Sequence, residues 1–168
     1  MAEQVRRSDN ALAWIFPRGI GPTAWSEDGK KGTQILRRFA LLGQTLDGMR
    51  VWDVRRAIQT IRSIDDLSRL PLDIADEGEM GVVALYASLF EPNINRLVLS
   101  DLPRSHHDGP QFLNVLQTLD IPAAVAMAAE RSPIDLTQGK QQNNWEYPLA
   151  VAKKLGWGAE RIQIEHGR

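Results

Sequence analysis

Short apolar runs that alternate with helix-period tracts constrain this chain more than any other feature. The runs are Ala11–Phe16, Leu72–Ala75, Arg96–Ser100, Ile134–Thr137 and Arg161–Glu165. Such alternation predicts an α/β fold with a mostly parallel sheet of about five strands and connecting helices. Short, mostly apolar strands of this kind are expected to be covered on their faces.

The tracts between the runs carry helical spacing. Val51, Val54, Ile58 and Ile61 fall three or four apart, with Arg55, Arg56, Gln59 and Arg62 between them as an expected solvated face. Asp47 is the expected N-cap, and Gly43 and Gly48 separate this helix from an earlier turn around Ile35–Leu42. Trp25 and the charged run Glu27–Lys31 read as a surface loop. The tract Glu79–Phe90 is apolar nearly all round, which predicts a helix buried at the centre of the domain and stopped by Pro92-Asn93. Asp76 is its expected N-cap, with Glu77 and Glu79 favourable at the positive end of the helix dipole. Gln111–Leu119 and Pro122–Glu130 read as two short helices, and Trp145–Leu155 as a helix closed by Gly156.

A length of 168 residues suits one domain. Residues 1–10 are polar and read as an N-terminal arm, with 11–168 as a single α/β domain. Lys and Arg number 20 against 21 Asp and Glu, a balance that gives no reason to expect nucleic acid or anionic lipid as partner. No apolar run approaches the roughly 20 residues that cross a bilayer, and the first residues lack the apolar stretch of a secretory signal. The absence of cysteine removes disulfides, thiolate chemistry and Cys-ligated zinc, and fits a cytoplasmic location. No G-x-G-x-x-G follows a predicted strand, so no dinucleotide cofactor is expected; Arg18-Gly19-Ile20-Gly21-Pro22 is not such a fingerprint. The adjacent pair His106-His107 lacks the i, i+3 or i, i+4 spacing of a helical metal site, so no metal is expected.

The order of these elements is familiar. A run ending in FPRGIGPTAW precedes LLGQTLDGMRVWDVRRAIQTIRS, then PLDIADEGEMGVVALYASL and INRLVLSDLP. Over roughly residues 11–166 this resembles the later half of α/β-hydrolases, in particular acetylxylan-esterase-like and related large-esterase domains. The resemblance implies a partial three-layer sandwich of that family, and it implies a nucleophile elbow, G-x-S-x-G, on the turn between a strand and a buried helix. The matching stretch is Asp76-Glu77-Gly78-Glu79-Met80, so Gly78 stands where the serine would be. Glycine has no group to attack an ester. Met80 replaces a flanking glycine and is expected to crowd the turn. The family's acid position falls in Gln138-Gly139-Lys140-Gln141-Gln142, which holds no carboxylate, while Asp135 lies inside a predicted strand. The histidine position matches His166.

Two functional expectations follow. The first is a non-catalytic binding or assembly domain. The second is a carboxylic-ester hydrolase with an unusual site: Ser105 as nucleophile, His107 or His166 as base, and Asp101 or Asp108 as orienting acid, acting on a small ester or an acylated carbohydrate. Ser105-His106-His107-Asp108 follows a predicted strand at the sheet end where ligands bind in open α/β folds. Against that, Ser105 and Asp108 equally suit the capping of a helix at Gln111. Right-handed crossovers progressing one way place all connecting helices on one face, leaving the other face, expected to be apolar, open. Related hydrolases cover that face with flanking helices for which this chain shows no candidate. A homodimer or a partner chain covering it is therefore expected.

Overall fold

The computed structural model describes residues 11–25, 29–139 and 145–166, with His166 as backbone only. The arm 1–10, the charged residues Glu27 and Asp28, the loop positions 140–142 and the tail beyond His166 lie outside the described residues. Four of the expected strands form: β1 (Asp73–Glu77), β2 (Arg96–Ser100), β3 (Ile134–Gln138) and β4 (Ile162–His166). They make one parallel sheet in the order β1-β2-β3-β4. The helices are α1 (Gly29–Leu41), α2 (Leu46–Arg62), α3 (Gly78–Ser88), α4 (Ile121–Arg131) and α5 (Glu146–Leu155).

Strand order equal to chain order, with parallel pairing, puts the crossovers α3, α4 and α5 on one face. They pack side by side there, and α2 packs on α3 at the β1 end of the layer. Facing them are two rows of side chains in register, Ile74-Leu97-Ile134-Ile162 and Asp76-Leu99-Leu136-Ile164. Leu97, Leu99, Ile134 and Leu136 are fully buried, each such side chain contributing about 1.5–3 kcal/mol by removal from water. The expectation for α3 holds: Val82, Val83, Leu85 and Ala87 have no exposure. Gly156 ends α5 in the left-handed conformation expected of it, with φ 68°.

The other face corrects an expectation. It is open, as foreseen, but it is not apolar. Its rows read Ala75-Val98-Asp135-Gln163 and Glu77-Ser100-Thr137-Glu165, preceded by Asp73-Arg96. Strict alternation sends the apolar residues to the helices, so the strands are half-covered rather than buried on both sides. Arg96 and Asp135 pair across this face at 2.7 Å.

Several local readings are also corrected. Ala11–Phe16 forms no strand; it joins no ladder, and its side chains are exposed, Trp14 to 68%. Its composition suits a strand, but a strand exists only with a partner edge. The turn around Ile35–Leu42 and the loop reading near Lys31 give way to α1, which has no buried residue. Thr45, not Asp47, caps α2, accepting from the Gly48 N–H at 3.1 Å. Asp47 lies in the first turn and holds Arg50 at 2.9 Å and the Gln111 N–H at 2.8 Å. Glu77, without a side-chain cap bond, occupies the N-cap of α3, because β1 stays extended to that residue (φ −133°, ψ 159°). Asp76 is still in the strand, where its Oδ1 accepts the Glu77 N–H at 2.9 Å. Gln111–Leu119 contains only a short 3₁₀ turn, Val115–Gln117, entered through Asn114 at φ 56°, so Ser105 and Asp108 cap no helix at Gln111.

The face of α2 that was expected to be solvated is largely engaged. Arg55 donates to Glu91 at 2.7 Å and lies over the Phe90 ring, and Gln59 donates to the same Glu91 oxygen at 2.9 Å. Arg62 donates to the carbonyls of Ser68, Leu70 and Asn93. Long basic side chains reach over the apolar stripe to acceptors that periodicity does not reveal. Among the described residues no helix is long and apolar enough to cross a membrane.

Candidate functional site

In a parallel sheet of this order, the strand ends and helix starts meet on one side, where ligands bind in open α/β folds. Here that side collects the turn after β1, the residues after β2, the end of β3 and the end of β4.

The turn after β1 is abrupt. Extended Glu77 is followed at once by Gly78 at φ +57°, which starts α3. A left-handed residue between strand and helix is a conformation glycine adopts without strain. The crowding by Met80 expected from sequence is absent: nothing lies within 4 Å of where a Gly78 Cβ would stand. At Gly81 the opposite holds. A Cβ there would lie 2.6 Å from Leu102 Cδ2 and 3.4 Å from the Asp76 carbonyl oxygen, so glycine allows α3 to press onto the strand ends. Three carboxyl groups, Asp76, Glu77 and Glu79, border the turn. Partial burial pushes the Asp76 carboxyl above the usual carboxylate range; the neighbouring Glu77 charge adds to this, against the lowering effect of the Glu77 N–H.

Asp101 follows β2 at φ 48°, and its Oδ1 accepts the Gly139 N–H at 2.6 Å, joining the ends of β2 and β3. Further along, Ser105 donates to the Asp120 carboxylate, and its Oγ accepts the His107 N–H at 3.2 Å. The His107 side chain is exposed. Asp108 is exposed too, its N–H bonded to the Ser105 carbonyl at 3.1 Å. His166 ends β4 in register with Gln138. Three strand spacings of about 4.8 Å put the backbone of β4 roughly 14 Å from that of β1. Among the described residues no hydrogen bond joins Ser105 to the His107 ring, or Asp101 to a histidine.

The buried histidine is the other one, His106. Its Nδ1 lies 2.8 Å from the Pro110 carbonyl oxygen, which can only accept, so Nδ1 carries a proton. In the neutral ring Nε2 then accepts from the Tyr86 hydroxyl at 2.8 Å. Burial pushes the Tyr86 phenol well up, helped by the Asp120 charge, which keeps it a donor. The Phe112 ring packs edge-on against Tyr86. Asp120 accepts the N–H groups of His106 and Ile121, at 2.9 and 2.8 Å, and caps α4. Its burial acts to raise the carboxyl pKa, but these donors and the Ser105 hydroxyl outweigh burial and hold it below the usual range. This network fastens the loop after β2 to α4. Asp120 and Tyr86 escape a motif search because their partners are 14 and 20 residues away.

A second anchored group lies at the start of α2. Arg18, in the turn before α1, grips Asp53 through its backbone N–H and its guanidinium, while Arg50 donates to the Arg18 carbonyl at 3.2 Å. Burial works to raise the Asp53 carboxyl, and Arg18 and Arg50 more than reverse it. At the end of β3, the Gln138 amide nitrogen and the Trp145 indole nitrogen are buried without a hydrogen-bond partner among the described residues. A surface cleft of about 490 Å³ between α2, α3 and residues 112–118 includes Val51, Tyr86, Phe90 and Phe112 in its lining and has no carboxylate. It is an apolar recess rather than a reactive one.

No protein-family model matches the sequence, and no curated protein is similar to it at a significant level. A solved structure does resemble it: a proposed acetyl xylan esterase from Bacteroides fragilis NCTC 9343, at 15% sequence identity and a TM-score of 0.66. The likeness covers 90% of this chain and 45% of that one, so the chain spans less than half the length of that structure. At this identity the likeness shows the fold alone: an α/β architecture built on a parallel sheet, shared with part of that structure.

Proposed function

We propose that this chain is a non-catalytic binding or assembly domain on an esterase-like fold, working with a second copy or a partner chain. One observation carries the reading: the strand-to-helix turn after β1 holds Gly78, with open space where a nucleophilic side chain would project. An acyl-enzyme mechanism needs a nucleophile and a base in hydrogen-bond reach of each other. At Ser105 the described hydroxyl contacts are a carboxylate and a backbone N–H, neither of which is an imidazole. An assembly role fits the open face of the sheet, although its polar rows favour a polar contact over an apolar one.

The competing reading is a carboxylesterase acting on a small ester or acylated carbohydrate through Ser105, His107, His166 and Asp101. It draws support from the B. fragilis neighbour and from the location of these residues at or just beyond the carboxyl ends of the strands. Turnover of 4-nitrophenyl acetate by the intact chain, alongside Ser105→Ala and Gly78→Ser, separates the two. We expect no turnover above solution hydrolysis in any of them, and no labelling of the intact chain by a fluorophosphonate. Turnover lost in Ser105→Ala, or stoichiometric labelling at Ser105, would establish the esterase instead.

A further inference from the structure

We infer that the outer edge of β1 is a docking edge for an extended, basic segment of a partner polypeptide, which adds to the sheet as a further strand. This deepens the binding reading and rests on it.

β1 pairs with β2 alone, and no described residue pairs with its other edge. Yet this edge is not a frayed margin of the molecule. The helix that β1 feeds, α3, is the most deeply buried helix of the fold, and α2 packs on the far side of it. Each crossover helix covers the groove between the two strands it joins: α3 over β1 and β2, α4 over β2 and β3, α5 over β3 and β4. By that count α2 is one helix too many. It packs on α3 and not on α4, so it lies beyond α3 at the β1 end of the layer, and no described strand continues the sheet on that side. The segment 11–16 arrives on the same side, because the turn that follows it is fastened to α2 by Arg18 and Arg50. Its apolar side chains belong to no ladder. An unpaired edge of this kind offers backbone donors and acceptors to an incoming strand.

Charge selects the occupant. In β1, Asp73 and Glu77 are exposed carboxylates on the open face and Asp76 is a partly buried one on the helix side, and none has an ion-pair partner among the described residues. Asp73 accepts from the Asn95 amide at 2.6 Å and lies opposite Arg96 in the ladder, whose charge it favours. Like charges opposite one another in a sheet destabilise pairing, and opposite charges favour it. The β1 edge of a second copy is therefore repelled. A strand with Lys or Arg opposite Asp73 and Glu77, and apolar residues on the face that meets Ile74, is matched on both sides.

The test uses the intact chain and a fluorescein-labelled peptide with the core Lys-Val-Lys-Val-Lys, which reads the same in either direction and so removes the question of orientation. Anisotropy should report saturable binding, weakened by salt, with none for Glu-Val-Glu-Val-Glu. Glu77→Lys should lower affinity for the Lys peptide by about three- to tenfold and create binding of the Glu peptide. Thermal melting checks that this variant is folded. N-methylation of alternate peptide amides keeps the charge and removes strand donors, so it should abolish binding. Hydrogen exchange in β1 should slow when the Lys peptide is bound. Equal binding of the N-methylated peptide would overturn the inference, as would indifference to Glu77→Lys or no binding at all. Sedimentation showing that the chain alone self-associates with β1 already protected would overturn it too, by making a second copy the occupant. The aryl-ester assay decides the binding reading and this titration decides the docking edge, so the two fail separately.

Discussion

The two faces of the sheet are made from the same strands, yet they differ in almost every physical respect. On the helix side Leu97, Leu99, Ile134 and Leu136 are fully buried. On the open side the alternate residues of those strands, among them Arg96, Val98, Ser100 and Thr137, are only half-buried. An α/β sheet normally buries both faces. Here the sequence places the apolar set on one face alone, so the fold's stability is concentrated in one layer and the other is left for contact.

Two neighbouring residues break or sharpen that contrast most directly. Leu99→Asp puts a carboxylate into a fully buried site without a partner. It should cost several kcal/mol and unfold a domain whose whole margin is about 5–15 kcal/mol. Val98→Asp, one residue away and facing the open side, should cost about 1 kcal/mol or less. Denaturant melts of both variants measure the difference, and equal losses would mean that the open face is in fact covered.

Ion pairs on the two sides should differ in the same sense. Glu91 is 6% exposed and receives both Arg55 and Gln59. Removing the cation leaves a buried carboxylate with one neutral donor, so Arg55→Ala should cost about 2–4 kcal/mol. Arg96, on the open side, keeps 41% of its side chain exposed while pairing with Asp135. Arg96→Ala should change stability little, because an exposed pair is screened by solvent. A melting series at low and high salt checks both: the Arg96 effect should fade with salt and the Arg55 effect should persist.

How much of this was legible beforehand depends on the range of the interaction. Local signals were readable: the runs that became β1 to β4, the apolar circumference of α3, the cap at Gly156, and the glycine at position 78. Long-range partnering was not. Arg55 reads as a solvated residue because its acceptor, Glu91, lies 36 positions away. Ala11–Phe16 has strand composition, but composition does not supply a neighbouring edge. The open face was read as apolar because short runs such as Leu97-Val98-Leu99 look uniform; only the register reveals which residue of each pair points to the helices. At the candidate site, Asp101 directly follows β2 and Ser105 lies in the loop beyond it. Their contacts with Asp120 and Gly139 depend on tertiary packing that no motif encodes.

The smallest expected effect separates two aspartates by sign. Asp120, fastened between β2 and α4, has its carboxyl pKa held low by N–H and hydroxyl donors that outweigh burial. A group with a folded-state pKa below its unfolded value contributes stability above the unfolded value, about 3.9, and loses that contribution as pH falls through the folded one. Asp120→Asn should therefore melt lower than the parent at pH 7, and the gap should close as the pH falls below about 4. Asp76, at the outer edge of β1, is shifted the other way, chiefly by partial burial and further by the adjacent Glu77 charge. Its folded-state pKa lies above the unfolded value, so its contribution is fully present only below that value and is lost as pH rises through the folded one. At pH 7 the ionised Asp76 is a small liability, and Asp76→Asn should melt slightly higher than the parent, with the advantage disappearing under acid. Opposite signs in the two melting series are the expected result. A loss of stability at neutral pH in both variants would mean that Asp76 has an ionic partner, and the edge of β1 would no longer be an unmatched acidic strand.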